Sequence, residues 1–213
     1  MTQFSNNWQD SRSKETRGEK IRQAINPQGD LRKKITDSDR SLTSQISKLD
    51  RTITKMTEKE KQLFNLTTVS FQKHDTTQAH AYANELTEHR KAMKLVQSSK
   101  LSLEQVQMRL RTVTDVGDLA NVIAPVGQVV RTVRRSLQGV MPSANDTLSE
   151  INRGFEGMMQ EIGTLPGMNF NFDTNSEEAE KILAEASVIA ETKMVGTLPN
   201  IPDLSEEATN TSI

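Results

Sequence analysis

The sequence predicts an all-α protein, a long antiparallel helical hairpin with shorter C-terminal helices and a flexible acidic tail. Residues 30–114 contain no proline and no glycine, and apolar side chains recur in them every seven residues. Such a heptad pattern is typical of helices that pack along one narrow apolar seam. Only 34% of the 213 residues are hydrophobic and 4% are aromatic. This is little for a globular enzyme of this length but enough for an extended helical protein.

The chain divides into three predicted regions. The first region is polar, and the NPQGD sequence at Asn26–Asp30 is expected to stop any helix before the hairpin begins. The regions are a flexible N-terminal segment at 1–29, a helical core at 30–163 (hairpin 30–114, shorter helices 117–163), and a C-terminal region at 164–213 with a linker, an acidic helix at about 176–193 and a Leu-Pro tail.

The apolar seam can be followed through both helices of the hairpin. A polar stretch, QKHDTT at 72–77, separates the two helices, and Asp75 and Thr76 have the chemistry of a helix cap. The seam consists of Ile35, Leu42, Leu49, Met56 and Leu63 with Ile46 and Ile53 in the first helix, and of Leu86, Met93, Val96, Leu103, Val106, Leu110 and Val113 in the second.

Three shorter helices are predicted after the hairpin. Residues 119–137 have apolar side chains at helical spacing, and an interruption is expected at Pro125 and Gly127. Residues 143–146 can cap the next helix, and Thr174 with Glu177 forms a capping box for the acidic helix. The apolar face of the middle helix is Leu148, Ile151, Phe155, Met158 and Ile162.

Charge is divided unevenly along the chain. Residues 1–140 carry 24 Lys and Arg against 15 Asp and Glu, a net charge of +9, whereas residues 141–213 carry 3 against 13, a net charge of −10. A basic body indicates an anionic partner, for which an acidic tail can compete. The alternative is that the tail only keeps the protein in solution.

Basic side chains are aligned along the first helix, on positions that face away from the seam. No aromatic residues alternate with them to stack on bases, so a membrane surface is favoured over nucleic acid, and no nucleic-acid partner is expected. The candidate membrane-binding residues of this basic stripe are Lys33, Lys34, Arg40, Lys48 and Lys55.

Two N-terminal aromatic residues are further candidates for membrane contact. Phe4 and Trp8 are four residues apart and share one face of any helix that forms there. Arg12 and Lys14 follow closely. The alternative is that both aromatics belong to a flexible segment and do not contact a membrane.

No motif for catalysis, a cofactor or a metal is present. The chain has no cysteine, no glycine-rich phosphate loop and no nucleophile elbow, and its three histidines are expected to be solvated. We therefore predict a protein that is not an enzyme. The N-terminus lacks a signal-peptide pattern, and the apolar run at 119–130 is too short to span a membrane, so a cytoplasmic location is expected.

A Leu-Pro motif, LPNIPDL at 198–204, follows the acidic helix. Two prolines three residues apart keep the backbone extended, so that Leu198, Ile201 and Leu204 can enter a groove on a partner at regular spacing. By itself such a short motif is weak evidence of a partner.

The run from Leu110 to Gly163, LRTVTDVGDLANVIAPVGQVVRTVRRSLQGVMPSANDTLSEINRGFEGMMQEIG, resembles the core of archaeal ESCRT-III proteins, the CdvB-type cell-division paralogues. The order of elements is similar over about 20–204. The resemblance implies a subunit that polymerises with itself and with paralogues on the inner face of the cell membrane, at the division site. It implies no catalytic activity. The longer tail with a winged-helix-like element, found in some archaeal members, has no counterpart here.

The resemblance also implies a partner for the Leu-Pro motif. The motif is similar to the segment by which such proteins bind the MIT domain of an AAA ATPase. On that similarity the ATPase-binding residues are Leu198, Pro199, Ile201, Pro202 and Leu204.

The acidic helix is predicted to fold back on the basic body and inhibit assembly. Its apolar contacts would come from Ile182, Ala186 and Ile189, and its charges from Glu177, Glu178, Glu180 and Glu185. The Leu-Pro motif beyond it should remain free for the ATPase. Two alternative functions are a soluble coiled-coil adaptor and a phage-shock-type scaffold for membrane stress.

Overall fold

The computed structural model describes residues 27–113, 116–164 and 177–199, and these residues form five α-helices. A short 3-10 turn, Pro142–Ala144, precedes the fourth helix. The helices are α1 (Pro27–Gln72), α2 (Thr76–Arg111), α3 (Val116–Leu137), α4 (Asn145–Gly163) and α5 (Glu177–Thr197). None of the described helices is both long and apolar enough to span a membrane. The all-α prediction is confirmed.

Helices α1 and α2 form the predicted antiparallel hairpin. With 46 residues, α1 is about 70 Å long at 1.5 Å per residue. The predicted seam lies between the helices: Leu42, Leu49 and Leu63 are buried in α1, and Leu86 and Val96 are buried in α2. Burial of each such side chain contributes roughly 1.5–3 kcal/mol, which explains how a chain of low hydropathy holds a long hairpin together.

The turn of the hairpin uses the predicted capping residue. The Asp75 carboxylate accepts a hydrogen bond from the Gln78 backbone N–H at 3.0 Å and caps the N-terminus of α2. His74 has a φ of 58°, in the left-handed region, and closes the reversal.

The first helix begins earlier than predicted. It begins at Pro27 and includes Gly29, so the NPQGD sequence does not stop it. Proline is well tolerated in the first turn of a helix, because the backbone N–H that it lacks has no partner there in any case.

Helix α3 is continuous, and the predicted interruption at Pro125 and Gly127 is wrong. Both residues are buried against the neighbouring helices. A Cβ on Gly127 would lie 3.9 Å from the Phe155 Cβ of α4, so the two helices approach closely there. The packing of α3 outweighs the backbone hydrogen bond that Pro125 cannot make.

Helices α3 and α4 cover the open end of the hairpin and complete one hydrophobic core. Helix α3 packs on α2, and α4 packs antiparallel on both α3 and α1. The Thr52 hydroxyl lies 3.8 Å from the Met141 sulfur, just before α4, and Lys34 contacts Glu161 near the end of α4. The largest fully buried side chains here are Leu31, Leu103, Leu110, Leu119, Ile123, Leu137, Leu148, Phe155 and Met158.

Candidate functional site

The basic stripe lies along the outer side of α1. The side chains of Lys33, Arg40 and Lys55 are exposed, whereas Lys34 and Lys48 are half-buried. Arg51 is exposed as well; it follows Lys48 by three residues and precedes Lys55 by four. This spacing places Arg51 on the same side of the helix. The sequence pattern contained this signal, but the prediction omitted Arg51.

One residue of the stripe is held inside the molecule. The Lys34 ammonium lies 2.5 Å from the Glu161 carboxylate of α4 and 3.1 Å from the Asp30 carboxylate. Burial by itself lowers the pKa of Lys34, but hydrogen bonds and charges from Glu161 and Asp30 outweigh it, so the pKa lies above its ordinary value. In this conformation Lys34 joins α1 to α4.

Helix α5 docks along α2 through a line of apolar residues, three alanines and one isoleucine. Ala179, Ile182, Ala186 and Ala190 are buried, at spacings of three, four and four residues. The predicted contact residue Ile189 is 40% exposed, and Ala190 occupies the place assigned to it. Alanine is too small to stand out in a search for apolar anchors, although its helical spacing was visible in the sequence.

Ion pairs hold both ends of α5 against α2. Glu178 pairs with Arg109, and Glu191 pairs with Lys94 at 2.9 Å. Of the predicted acidic contacts only Glu178 makes a described ion pair with the hairpin; Glu177, Glu180 and Glu185 are exposed. Glu191 was not predicted. The helix therefore runs antiparallel to α2 and brings its C-terminus to the middle of the hairpin.

The start of the Leu-Pro motif contacts the hairpin there. Leu198 is half-buried, and the Pro199 carbonyl accepts a hydrogen bond from Arg90 Nη2 at 2.8 Å. Both residues line a groove of about 420 Å³, which we call the tail groove. The hairpin walls of the tail groove are Ile53, Thr57, Glu60, Lys61, Phe64, Asn65, Met93 and Gln97. The expectation that the whole motif is free of the body is therefore wrong for these two residues.

A buried ion pair forms the floor of this contact. The Glu60 side chain is 1% exposed and Arg90 is 17% exposed. Arg90 Nε donates to Glu60 Oε1 at 3.0 Å, and Nη2 donates to the same oxygen. Glu60 lies seven residues after Ile53, so it occupies a seam position where an apolar residue is usual. A charge at such a position indicates a buried partner, and this signal was missed.

The remaining candidate residues lie outside the described part of the chain. These are the proposed membrane anchors Phe4 and Trp8, and the motif residues Ile201, Pro202 and Leu204. The histidines have no common site: His89 Nε2 lies 2.8 Å from the Met56 carbonyl oxygen, within the hairpin. Among the described residues, no cluster of three histidine or carboxylate side chains could hold a metal ion.

Comparison with known proteins gives two kinds of match. The model of the family described as Snf7 matches residues 37–205. Cell division protein B1 of Sulfolobus acidocaldarius is 37% identical over 172 residues, which cover 81% of this chain and 80% of that protein. Cell division protein B of the same organism is 29% identical over 172 residues, or 81% of this chain and 66% of that protein. No solved structure matches.

Proposed function

The chain belongs to the Snf7 family of ESCRT-III proteins, and from this membership we propose that it is a non-enzymatic, filament-forming subunit for membrane constriction or scission in cell division. It polymerises on the inner face of the cell membrane, with further copies of itself and with paralogues. An AAA ATPase binds its Leu-Pro motif and remodels the polymer. Family membership and relatives named as cell division proteins support the role in division.

The observation that carries the membrane part of this proposal is the exposed basic face of α1. Lys33, Arg40, Arg51 and Lys55 are all exposed along one side of a helix about 70 Å long. Each basic residue close to an anionic surface contributes about 1 kcal/mol of binding. Because neighbouring subunits in a polymer repeat the same face, their contributions combine in one multivalent contact.

A charge reversal of this face tests membrane binding. Replacing Lys33, Arg40, Arg51 and Lys55 by Glu leaves the partly buried Lys34 and Lys48 in place, so the helices should stay folded. Affinity for vesicles that contain anionic phospholipid should fall by a factor of about 100 or more, because the attraction becomes repulsion. Co-sedimentation with the vesicles measures the affinity, and circular dichroism measures whether the helices stay folded.

A matched control separates position from net charge. Lys73, Lys91, Arg135 and Lys193 are also exposed but lie on other helices or at the tip of the hairpin, and their replacement by Glu changes the net charge by the same amount. This variant should bind the vesicles far better than the first. If both variants lose vesicle binding to the same extent, the exposed basic face of α1 is not the binding surface. If the wild type binds neutral vesicles as tightly as anionic ones, the electrostatic explanation is also wrong, and contact through Phe4 and Trp8 is favoured. Wild-type protein that never sediments with vesicles would indicate the soluble adaptor.

The docked position of α5 supports a second part of the proposal, which is a closed, assembly-inhibited subunit. Helix α5 covers apolar surface of α2 and neutralises Arg109 and Lys94. Release of α5 would expose the buried faces of both helices at once. Such surfaces favour contacts between subunits.

A further inference from the structure

The contact between Arg90 and Pro199 joins the Leu-Pro motif to the most deeply buried ion pair of the hairpin. Pro199 has no backbone N–H, so its carbonyl is its only polar group. The guanidinium of Arg90 has five N–H donors in one plane, and its contacts with Glu60 leave others for a further acceptor. Arg90 can therefore bind Glu60 and Pro199 together, as it does here.

The tail groove suits an extended segment with apolar side chains. Ile53, Phe64 and Met93 supply apolar surface, and the exposed Lys61 also lines the groove. The motif enters at Pro199, and the next residues of the chain contain Ile201, Pro202 and the acidic residue Asp203. The groove thus offers an apolar wall and a positive charge to a segment that carries apolar side chains and a negative charge.

We propose that the tail groove is the binding site of the chain's own Leu-Pro motif, and that this binding and binding of the ATPase exclude each other. The inference rests on the proposed function of the motif. Leu198 is among the residues assigned to the ATPase, and its half-buried side chain cannot line the tail groove and enter a groove of the ATPase at the same time. Arg90 is then a positioning residue that holds the motif on the hairpin.

Cross-linking tests the docking without the ATPase. The chain has no native cysteine, so a full-length Asn65→Cys/Asn200→Cys variant carries only the two introduced thiols, one on the lining of the tail groove and one inside the Leu-Pro motif at a residue not assigned to the ATPase. A short bismaleimide should join them within one chain, detected as a monomer by mass spectrometry. An Asn65→Cys/Val188→Cys variant is the control, because Val188 is 64% exposed on α5 and lies outside the groove lining. Cross-linking mainly between two chains, or equally in both variants, overturns docking within the chain.

Binding to the isolated MIT domain of the organism's AAA ATPase tests the exclusion. The cross-linked protein should bind at least about ten times more weakly than the same variant capped with N-ethylmaleimide. Arg90→Lys keeps a positive charge beside Glu60 but loses the planar set of donors, so it should bind the MIT domain about three to ten times more tightly than the wild type. Equal affinity of the cross-linked and capped proteins overturns the exclusion.

Two further samples separate this inference from the proposed function. A synthetic peptide of residues 196–213 should bind the MIT domain, and a full-length Leu198→Asp/Ile201→Asp variant should not. If neither the peptide nor the wild-type chain binds, the ATPase assignment is wrong and the exclusion falls with it. The cross-linking result then still decides whether the motif docks on the hairpin.

Discussion

Two buried carboxamide side chains lie where α1 and α4 meet. One side of α1 carries Ser38, Gln45 and Thr52, which follow one another at intervals of seven residues. Ser38 packs beside Gly154 of α4, and Thr52 contacts Met141, just before α4. Gln45 is fully buried, and neither its amide nitrogen nor its oxygen has a hydrogen-bond partner among the described residues. The buried amide oxygen of Asn152 in α4 also has no hydrogen-bond partner among the described residues. Buried polar groups at the interface of α1 and α4 therefore have fewer hydrogen bonds than those in the rest of the described core.

Gln45→Leu should stabilise the protein. The substitution keeps a similar volume and removes two buried polar atoms, each of which costs about 1–3 kcal/mol when unpaired. Urea unfolding followed by circular dichroism should show a higher midpoint with an unchanged slope.

Gln107→Leu is the matched control for that substitution. The Gln107 amide donates to the Thr43 hydroxyl at 2.5 Å and to the Asp39 carbonyl at 3.3 Å, so its removal should lower stability by about 0.5–1.5 kcal/mol. If Gln45→Leu is destabilising to the same degree, the Gln45 amide is satisfied in the folded protein and the account of the interface fails.

At the scale of the elements, the number, order and packing faces of the helices could be predicted, but their ends could not. A heptad repeat is a long-range signal that many residues share, so Leu42, Leu49 and Leu86 identified the hairpin reliably. Helix ends depend on single residues: Pro27 begins α1, Pro125 lies inside α3, and α5 extends through Gly196 to Thr197. Packing against neighbouring helices decides such cases, and a local breaker signal carries no information about packing.

The candidate site was predicted in the same uneven way. The sequence located the α5 docking helix and the basic stripe, because both are patterns of many residues. It missed Arg90 and Glu60, although a charge in the seam pointed to them. The partner of Glu60 and the position of Pro199 depend on how three segments meet in space, which spacing along one helix does not reveal.

Helix α5 should be released by one charge on its buried face. Ala186 is fully buried, and Ala186→Glu places an unpaired carboxylate in an apolar contact at a cost of several kcal/mol. The freed subunit should assemble as readily as a chain cut after residue 163, which sedimentation and negative-stain microscopy can measure.

Val188→Glu introduces the same charge on the exposed face of α5, where Val188 is 64% exposed. This control should behave like the wild type. Limited proteolysis within α5, which contains Lys181 and Lys193, reports release of this helix independently of assembly. If the Ala186 variant is cleaved rapidly and still does not assemble, α5 does not inhibit assembly.

At the scale of the whole molecule, the uneven distribution of charge bears on two contacts, the observed docking of α5 on the hairpin and the proposed binding to a membrane. The body of residues 1–140 has a net charge of +9 and the remainder has −10. The ion pairs of α5 are exposed, with side-chain accessibilities of 36% and 45% for Arg109 and Glu178. Exposed pairs and membrane contacts are both screened by salt, with a Debye length of about 10 Å at 0.1 M.

Salt should therefore move assembly in solution and membrane binding in opposite directions. Between about 0.05 and 0.5 M salt, the tendency of the wild type to assemble in solution should rise by about two- to fivefold, because α5 is held less firmly. Binding to anionic vesicles should fall over the same range. Light scattering measures assembly in solution and co-sedimentation measures vesicle binding, both on one preparation of the protein. A parallel fall in both quantities would show that salt acts on contacts between subunits rather than on α5.

The antiparallel course of α5 along α2 has a mechanical consequence. A force that pulls the chain from its C-terminal end loads the contact of Pro199 first, that of Glu191 next and that of Glu178 last. The contacts are thus peeled apart one after another and do not share the load, as they would if the helix were sheared along its axis. The ATPase proposed to bind the tail would meet these polar contacts one at a time, so it could open the subunit in small steps while the hairpin remains folded.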